Sequence, residues 1–153
     1  MSMLAPVAAS DARVAPHNLE AEQSAIGGML LSEEAVAEVI EITSGGDFYA
    51  SKHELIFDAV VTLFGRGEPT DVIAVTDQLN KSGNLLKAGG ADYLHSLTSY
   101  VPTAANAGYY AKIVADKAVL RRLIDAGTKI AQSGYESQGE VEDLVNQAQS
   151  EIY

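Results

Sequence analysis

The sequence predicts an all-α fold: a small globular head of about five helices followed by a C-terminal antiparallel helical hairpin. Three observations point there. Apolar residues recur at three- and four-residue spacing through most of the chain. No run of four or more residues alternates strictly between apolar and polar with hairpin turns at its ends. Residues that cap helix N-termini, Asn18, Ser32, Ser51, Asp71 and Thr103, stand immediately before the periodic segments.

The first sixteen residues, rich in Ala and Pro, are read as an N-terminal arm. Asn18 then caps a helix whose first turn carries Glu20 and Glu22, where the helix dipole favours acids, and whose apolar positions are Leu19, Ile26, Met29 and Leu30. Ser32 caps a second helix with Glu33 and Glu34 in its first turn and Val36, Val39 and Ile40 turned inward, ending at "TSGG". In "DFYASKHELIFDAV", Ser51 and Glu54 have the spacing of a reciprocal capping box, with Phe48 and Tyr49 before them as a hydrophobic staple. The helix they open continues through Phe57 and Phe64 to Gly65 and Gly67, so all four aromatics are expected in the core or the staple. Asp71 caps a fourth helix through Val72, Ile73, Val75 and Leu79 to Gly83, "NLLKAGG" makes a turn, and "ADYLHSLTSYV" forms a fifth helix closed by Pro102.

Past Pro102 the pattern changes, which places the head at residues 17–102 and the hairpin at 103–153. A segment capped at Thr103 reads as helical to about Ser133. Alanines 107, 111, 115, 118 and 126 thin its surface, so that a second helix can approach closely. "SGYESQG" breaks it, and a last helix carries Val141, Leu144, Val145, Ala148 and Ile152 on one face. Together, Ile113, Leu120, Ile124 and Ile130 on the long helix and Leu144, Val145 and Ile152 on the last exceed what two helices hide between themselves, so these seven residues are the candidate partner surface.

The composition excludes several functions. With no cysteine there is no disulfide framework, thiolate metal site or cysteine nucleophile, and the usage fits a reducing cytoplasm. No apolar run approaches the roughly 18 residues of a membrane span. A formal net charge of −11 disfavours a grip on a nucleic-acid backbone. The exception is residues 112–129, where Lys112, Lys117, Arg121, Arg122 and Lys129 face only Asp116 and Asp125. No phosphate-cradling Gly-x4-Gly-Lys-Ser/Thr string occurs, and the glycine pair at 27–28 reads as close helix packing. His17, His53 and His95 have no acid at metal-ligand spacing. Asp47 and His53 are the only candidates for chemistry in their stretch, and a histidine without a nearby nucleophile or ligand partner reads as structural. The expectation is therefore no catalytic, cofactor or metal residue in this chain.

In order and spacing, "PHNLEAEQSAIGGMLL", "DFYASKHELIFDAVVTL", "PTDVIAVTDQLNKSGNL", "GGADYLHSLTSYVPTAANAGYYAKIVADKAVLRRLI" and "VEDLVNQAQSEIY" together resemble the N-terminal domain of the bacterial replicative DNA helicase DnaB family. The resemblance runs from about residue 16 to the end. It implies a helical head and a hairpin, with hairpins pairing two by two so that six chains form a ring as a trimer of dimers. It implies docking of primase on the hairpin region, a helicase loader as a further partner, and DNA engaged by the full ring rather than by this domain. The linker and RecA-like ATPase domain of the family, which hold ATP and Mg, come after the residues present here. The implied setting is the bacterial cytoplasm at the replication fork. A competing reading is a free-standing helical DNA-binding or regulatory module, built on packing of the third and fourth helices.

Overall fold

The computed structural model describes residues 14–152; the greater part of the expected N-terminal arm, and Tyr153, lie outside the described residues. Among these are seven α-helices: α1 (Leu19–Leu31), α2 (Glu33–Ile42), α3 (Ser51–Gly65), α4 (Val72–Lys81), α5 (Gly90–Tyr100), α6 (Ala107–Glu136) and α7 (Val141–Ile152). Two short 3-10 turns, Gly45–Asp47 and Ala104–Asn106, precede α3 and α6. The described residues contain no strand. They divide into two compact units: the head, residues 17–118, and a second unit of residues 14–16 with 119–152.

α1 is the centre of the head. Every residue from Ala21 to Leu30 except Gln23 is buried, and the helix packs against α2, α3 and α5. Small residues make that possible. A Cβ on Gly27 would collide with the Leu97 carbonyl oxygen of α5, and one on Gly28 would lie 2.8 Å from the Ala107 Cβ of α6. Ile26, Met29, Val36, Val39, Ile56, Val60, Val75, Leu79, Leu94 and Leu97 complete the core.

Most helix ends are made by local chemistry. The Asn18 Oδ1 accepts from the Ala21 N–H at 2.9 Å, the Ser32 Oγ from Ala35 at 3.3 Å and the Asp71 Oδ1 from Ala74 at 2.9 Å, each satisfying a donor that the helix leaves unpaired. Ser32 also closes α1 by donating its own N–H to the Gly28 carbonyl, so one residue ends one helix and starts the next. Gly67, at φ +71°, ends α3: its N–H reaches the Phe64 carbonyl while Glu68 reaches Leu63, the paired closure that a left-handed residue permits.

Four sequence expectations change. Ser51 is the first residue inside α3 rather than its cap; Ala50 occupies the cap position and has no side-chain acceptor to offer. Tyr49 and Phe64 are exposed, whereas Phe48 and Phe57 are buried with ring centroids 5.1 Å apart. Leu19 and Ile73 are exposed as well, because burial on α1 begins at Ala21 and the inward stripe of α4 is Val72, Val75 and Leu79. Finally, the head does not end near Pro102. It takes in the first turns of α6, where Ala107, Ala111, Val114 and Ala118 are buried, so those alanines serve the head core rather than the hairpin.

Candidate functional site

Two features carry more chemistry than their neighbours, one in each unit. In the head, α1 delivers Glu22 into the interior at 1% exposure. A buried carboxyl group without partners would be costly. Here its Oε2 accepts from the Tyr49 N–H at 2.7 Å and its Oε1 from the Ala50 N–H at 3.3 Å. Glu22 therefore supplies from a neighbouring helix the cap that Ala50 cannot give α3, and a negative group suits the positive end of that helix. The Glu22 Oε1 also lies 2.8 Å from the His53 Nδ1, and the His53 Nε2 lies 2.5 Å from the Tyr93 hydroxyl of α5. His53 is as buried as Glu22. Burial pushes the Tyr93 phenol up, and a hydrogen bond from Gln23 works against that shift, so the phenol remains a hydroxyl with a proton to give. Lys52 covers the Tyr93 ring at 3.9 Å.

This is an acid, an imidazole and a phenol in line. Its visible work is to join α1, α3 and α5. Asp47, the other candidate for chemistry, accepts from the Ser44 N–H at 3.0 Å and tightens the 3-10 turn. Among the described residues no three His, Asp or Glu side chains converge as metal ligands.

In the second unit, α6 beyond Val119 and α7 face one another in antiparallel register. Lys129 reaches Glu151 at 3.9 Å. Ile130 and Ala148 share a cleft of about 350 Å³ with Ser133, Gly134, Val141, Leu144 and Val145. A second cleft of about 320 Å³ is lined by Val119, Leu123, Ala126 and Ile152. The intervening face stays open: Leu120, Ile124, Val145 and Ile152 are 43%, 54%, 51% and 63% exposed, and Leu123 is 63% exposed. Ile130 and Leu144 are half-buried against each other's cleft. Ile113 lies elsewhere, packed on the head core. The cations of this stretch are largely satisfied within the chain: Lys112 bonds Asp116 at 2.6 Å, Lys129 bonds Asp125 at 3.2 Å, and the Arg121 Nη1 donates to the Pro16 carbonyl at 2.8 Å. The Asp125 hydrogen bond, then the charges of Asp125 and Glu151, push the Lys129 ammonium up.

The sequence matches the family described as "DnaB-like helicase N terminal domain" over residues 14–116. The chain belongs to that family. This DnaB-like helicase N-terminal domain is 65% identical over 144 residues to the replicative DNA helicase DnaB of Leifsonia xyli subsp. xyli, covering 94% of the chain and 32% of that protein. It is 53% identical over 143 residues to the replicative DNA helicase DnaB of Mycobacterium leprae, covering 92% of the chain and 24% of that protein. The chain thus spans about a third or less of the length of these relatives. The crystal structure of the N-terminal domain of DnaB helicase from Mycobacterium tuberculosis superposes with a TM-score of 0.88 at 53% identity, covering 92% of this chain and 99% of that one. The all-helical fold and the resemblance read from the sequence are both borne out.

Of the residues predicted as a partner surface, the structure brings Leu120, Ile124, Ile130, Leu144, Val145 and Ile152 into the second unit and leaves Ile113 in the head. The periodic reading missed Leu123, which is as open as Ile152. It also missed Glu22. One signal was available: Glu22 falls four and seven residues before Ile26 and Met29, on the stripe of α1 that must face inward.

Proposed function

We propose that this chain is the collar domain of a hexameric replicative DNA helicase, in which the α6–α7 units pair two by two, the pairs assemble as a trimer of dimers, and primase docks on the same region. The carrying observation is the open apolar face of Leu120, Leu123, Ile124, Val145 and Ile152, too large a group of exposed aliphatics for a surface without a partner. Family membership and relatives described as replicative DNA helicases support the choice of partner. A two-fold pairing buries the patch from both copies, so each contact counts twice. ATP hydrolysis, with its Mg, and strand unwinding then belong to the portion of such helicases beyond this domain, a helicase loader is a further partner, and the setting is the bacterial cytoplasm at the replication fork. No helix among the described residues is long and apolar enough to cross a membrane.

The alternative, a free-standing DNA-binding or regulatory module, has less support. Lys112 and Lys129 are already paired with acids of their own helix, and the whole chain carries −11. Association measured across a salt series separates the two. Self-association through the apolar face changes little with salt, whereas phosphate binding weakens steeply. Concentration-independent monomer by sedimentation, together with steeply salt-dependent DNA binding, overturns the collar reading.

A further inference from the structure

The polar chain in the head is used neither by helix pairing nor by partner docking on α6 and α7. It runs from α5 through α3 to α1 and back to the start of α3. The Tyr93 hydroxyl meets the His53 Nε2; the His53 Nδ1 meets the Glu22 Oε1; and Glu22 holds the amides of Tyr49 and Ala50. Each end touches an aromatic contact. At one, the Lys52 ammonium sits over the Tyr93 ring. At the other, the half-exposed Tyr49 ring stacks on His17 with centroids 4.1 Å apart and planes within 10°.

We propose that Glu22, His53 and Tyr93 form a conformational latch that couples the Tyr93 hydroxyl to the Tyr49–His17 stack, with His53 held in the Nδ1–H tautomer. The tautomer follows from the partners. A carboxylate that already takes two backbone N–H donors is an acceptor toward the imidazole, so Nδ1 carries the proton; Nε2 then accepts from the Tyr93 hydroxyl. The coupling follows from rigidity and dryness. The imidazole is a flat ring with its two nitrogens fixed relative to one another, and His53 and Glu22 are both almost fully enclosed, so water does not replace a lost partner in place. A displacement of the Tyr93 hydroxyl leaves Nε2 without its donor and shifts the ring. Oε1 is shared by Nδ1 and the Ala50 N–H, so that shift reaches the start of α3 and, through the second carboxyl oxygen, the Tyr49 amide. A displacement of the Tyr93 hydroxyl is thereby felt at the Tyr49–His17 stack.

Amide hydrogen exchange on the chain, read residue by residue by NMR, tests this. Tyr93→Phe removes only the hydroxyl. It is expected to speed exchange at Tyr49 and Ala50 by about five- to tenfold relative to amides of α2 and α4, and to move the His17 ring resonances. Lys52→Gln removes the ammonium over the ring but not the hydroxyl, and is expected to leave Tyr49 and Ala50 unchanged. Wild-type exchange at both amides in folded Tyr93→Phe overturns the latch, as does equal acceleration by Lys52→Gln. The nitrogen-15 spectrum of the unaltered chain gives a separate check that needs no variant: a proton on the His53 Nε2 rather than Nδ1 overturns the proposal.

Discussion

Glu22 shows how one side chain can be assigned the right local reason and the wrong role. Its place in the first turn of α1 suits the dipole of that helix, yet its oxygens serve the N-terminus of α3. Removing it strands two backbone donors and a fully buried imidazole. Glu22→Ala is therefore expected to cost about 3–5 kcal/mol in urea unfolding, and a loss below about 0.5 kcal/mol would show that water satisfies those groups. Asp58 behaves in the opposite sense. Partial burial, then the charge of Glu54, raise its carboxyl above the ordinary 3.8. The folded state thus holds that proton more tightly than the unfolded chain, so ionised Asp58 subtracts from stability at neutral pH and the penalty fades as pH falls through the raised value and below 3.8. Asp58→Asn should raise the unfolding midpoint at pH 7 slightly, with the difference from wild type shrinking toward pH 3.5. A gain that stays constant with pH would assign the effect to packing instead.

Among the helices, α3 separates burial from mere aromatic character. Phe57 points into the core beside Phe48, while Phe64 is the last residue but one of α3, where the surface begins. Phe57→Ala should cost about 3–5 kcal/mol and Phe64→Ala far less, measured by the same denaturant titration. Equal losses would mean that the buried face of α3 has been misplaced. The N-terminus of α6 repeats the theme of α3: the Gly108 N–H donates to the Glu38 carboxylate of α2 at 3.2 Å. Two helices of the head are thus started by acids borrowed from other helices, and a Cβ at position 108 would displace the Glu38 carboxylate that does the capping.

For the molecule as a whole, the decisive surface is the one the chain does not cover for itself. Ile124 is more than half exposed on α6, and Leu144 lines the cleft beneath α7. Ile124→Asp puts a charge where an apolar partner is proposed to seat, and Leu144→Asp puts one in the cleft that shapes that seat. Both are expected to shift self-association to at least about tenfold higher concentration in sedimentation, an interface loss of about 1.4 kcal/mol or more, with helix content by circular dichroism unchanged. Folded variants that associate like wild type, and that still bind primase in the full-length helicase, would place the partner surface elsewhere.

Much of this architecture is legible in one dimension because its causes are local. Asn18, Ser32 and Asp71 cap their helices within three residues, Gly67 closes α3 within five, and the glycines at 27 and 28 sit where close helix packing was expected. Five ordered segments carry the resemblance to the family on their own. What the linear order could not supply were partners distant in the chain. Ala50 looks like a poor cap and Ser51 a good one until Glu22 arrives from 28 residues away, and His53 looks solitary until Glu22 and Tyr93 meet it across separations of 31 and 40. The end of the head moved for the same reason. Periodicity sees an alanine face on α6, but only the glycine gap on α1 decides that Ala107 packs into the head, so the helix that begins after Pro102 belongs to the head as far as Ala118. Capping and periodicity act over one turn, whereas a buried charge or a helix seat is settled by whichever helix the tertiary fold brings beside it.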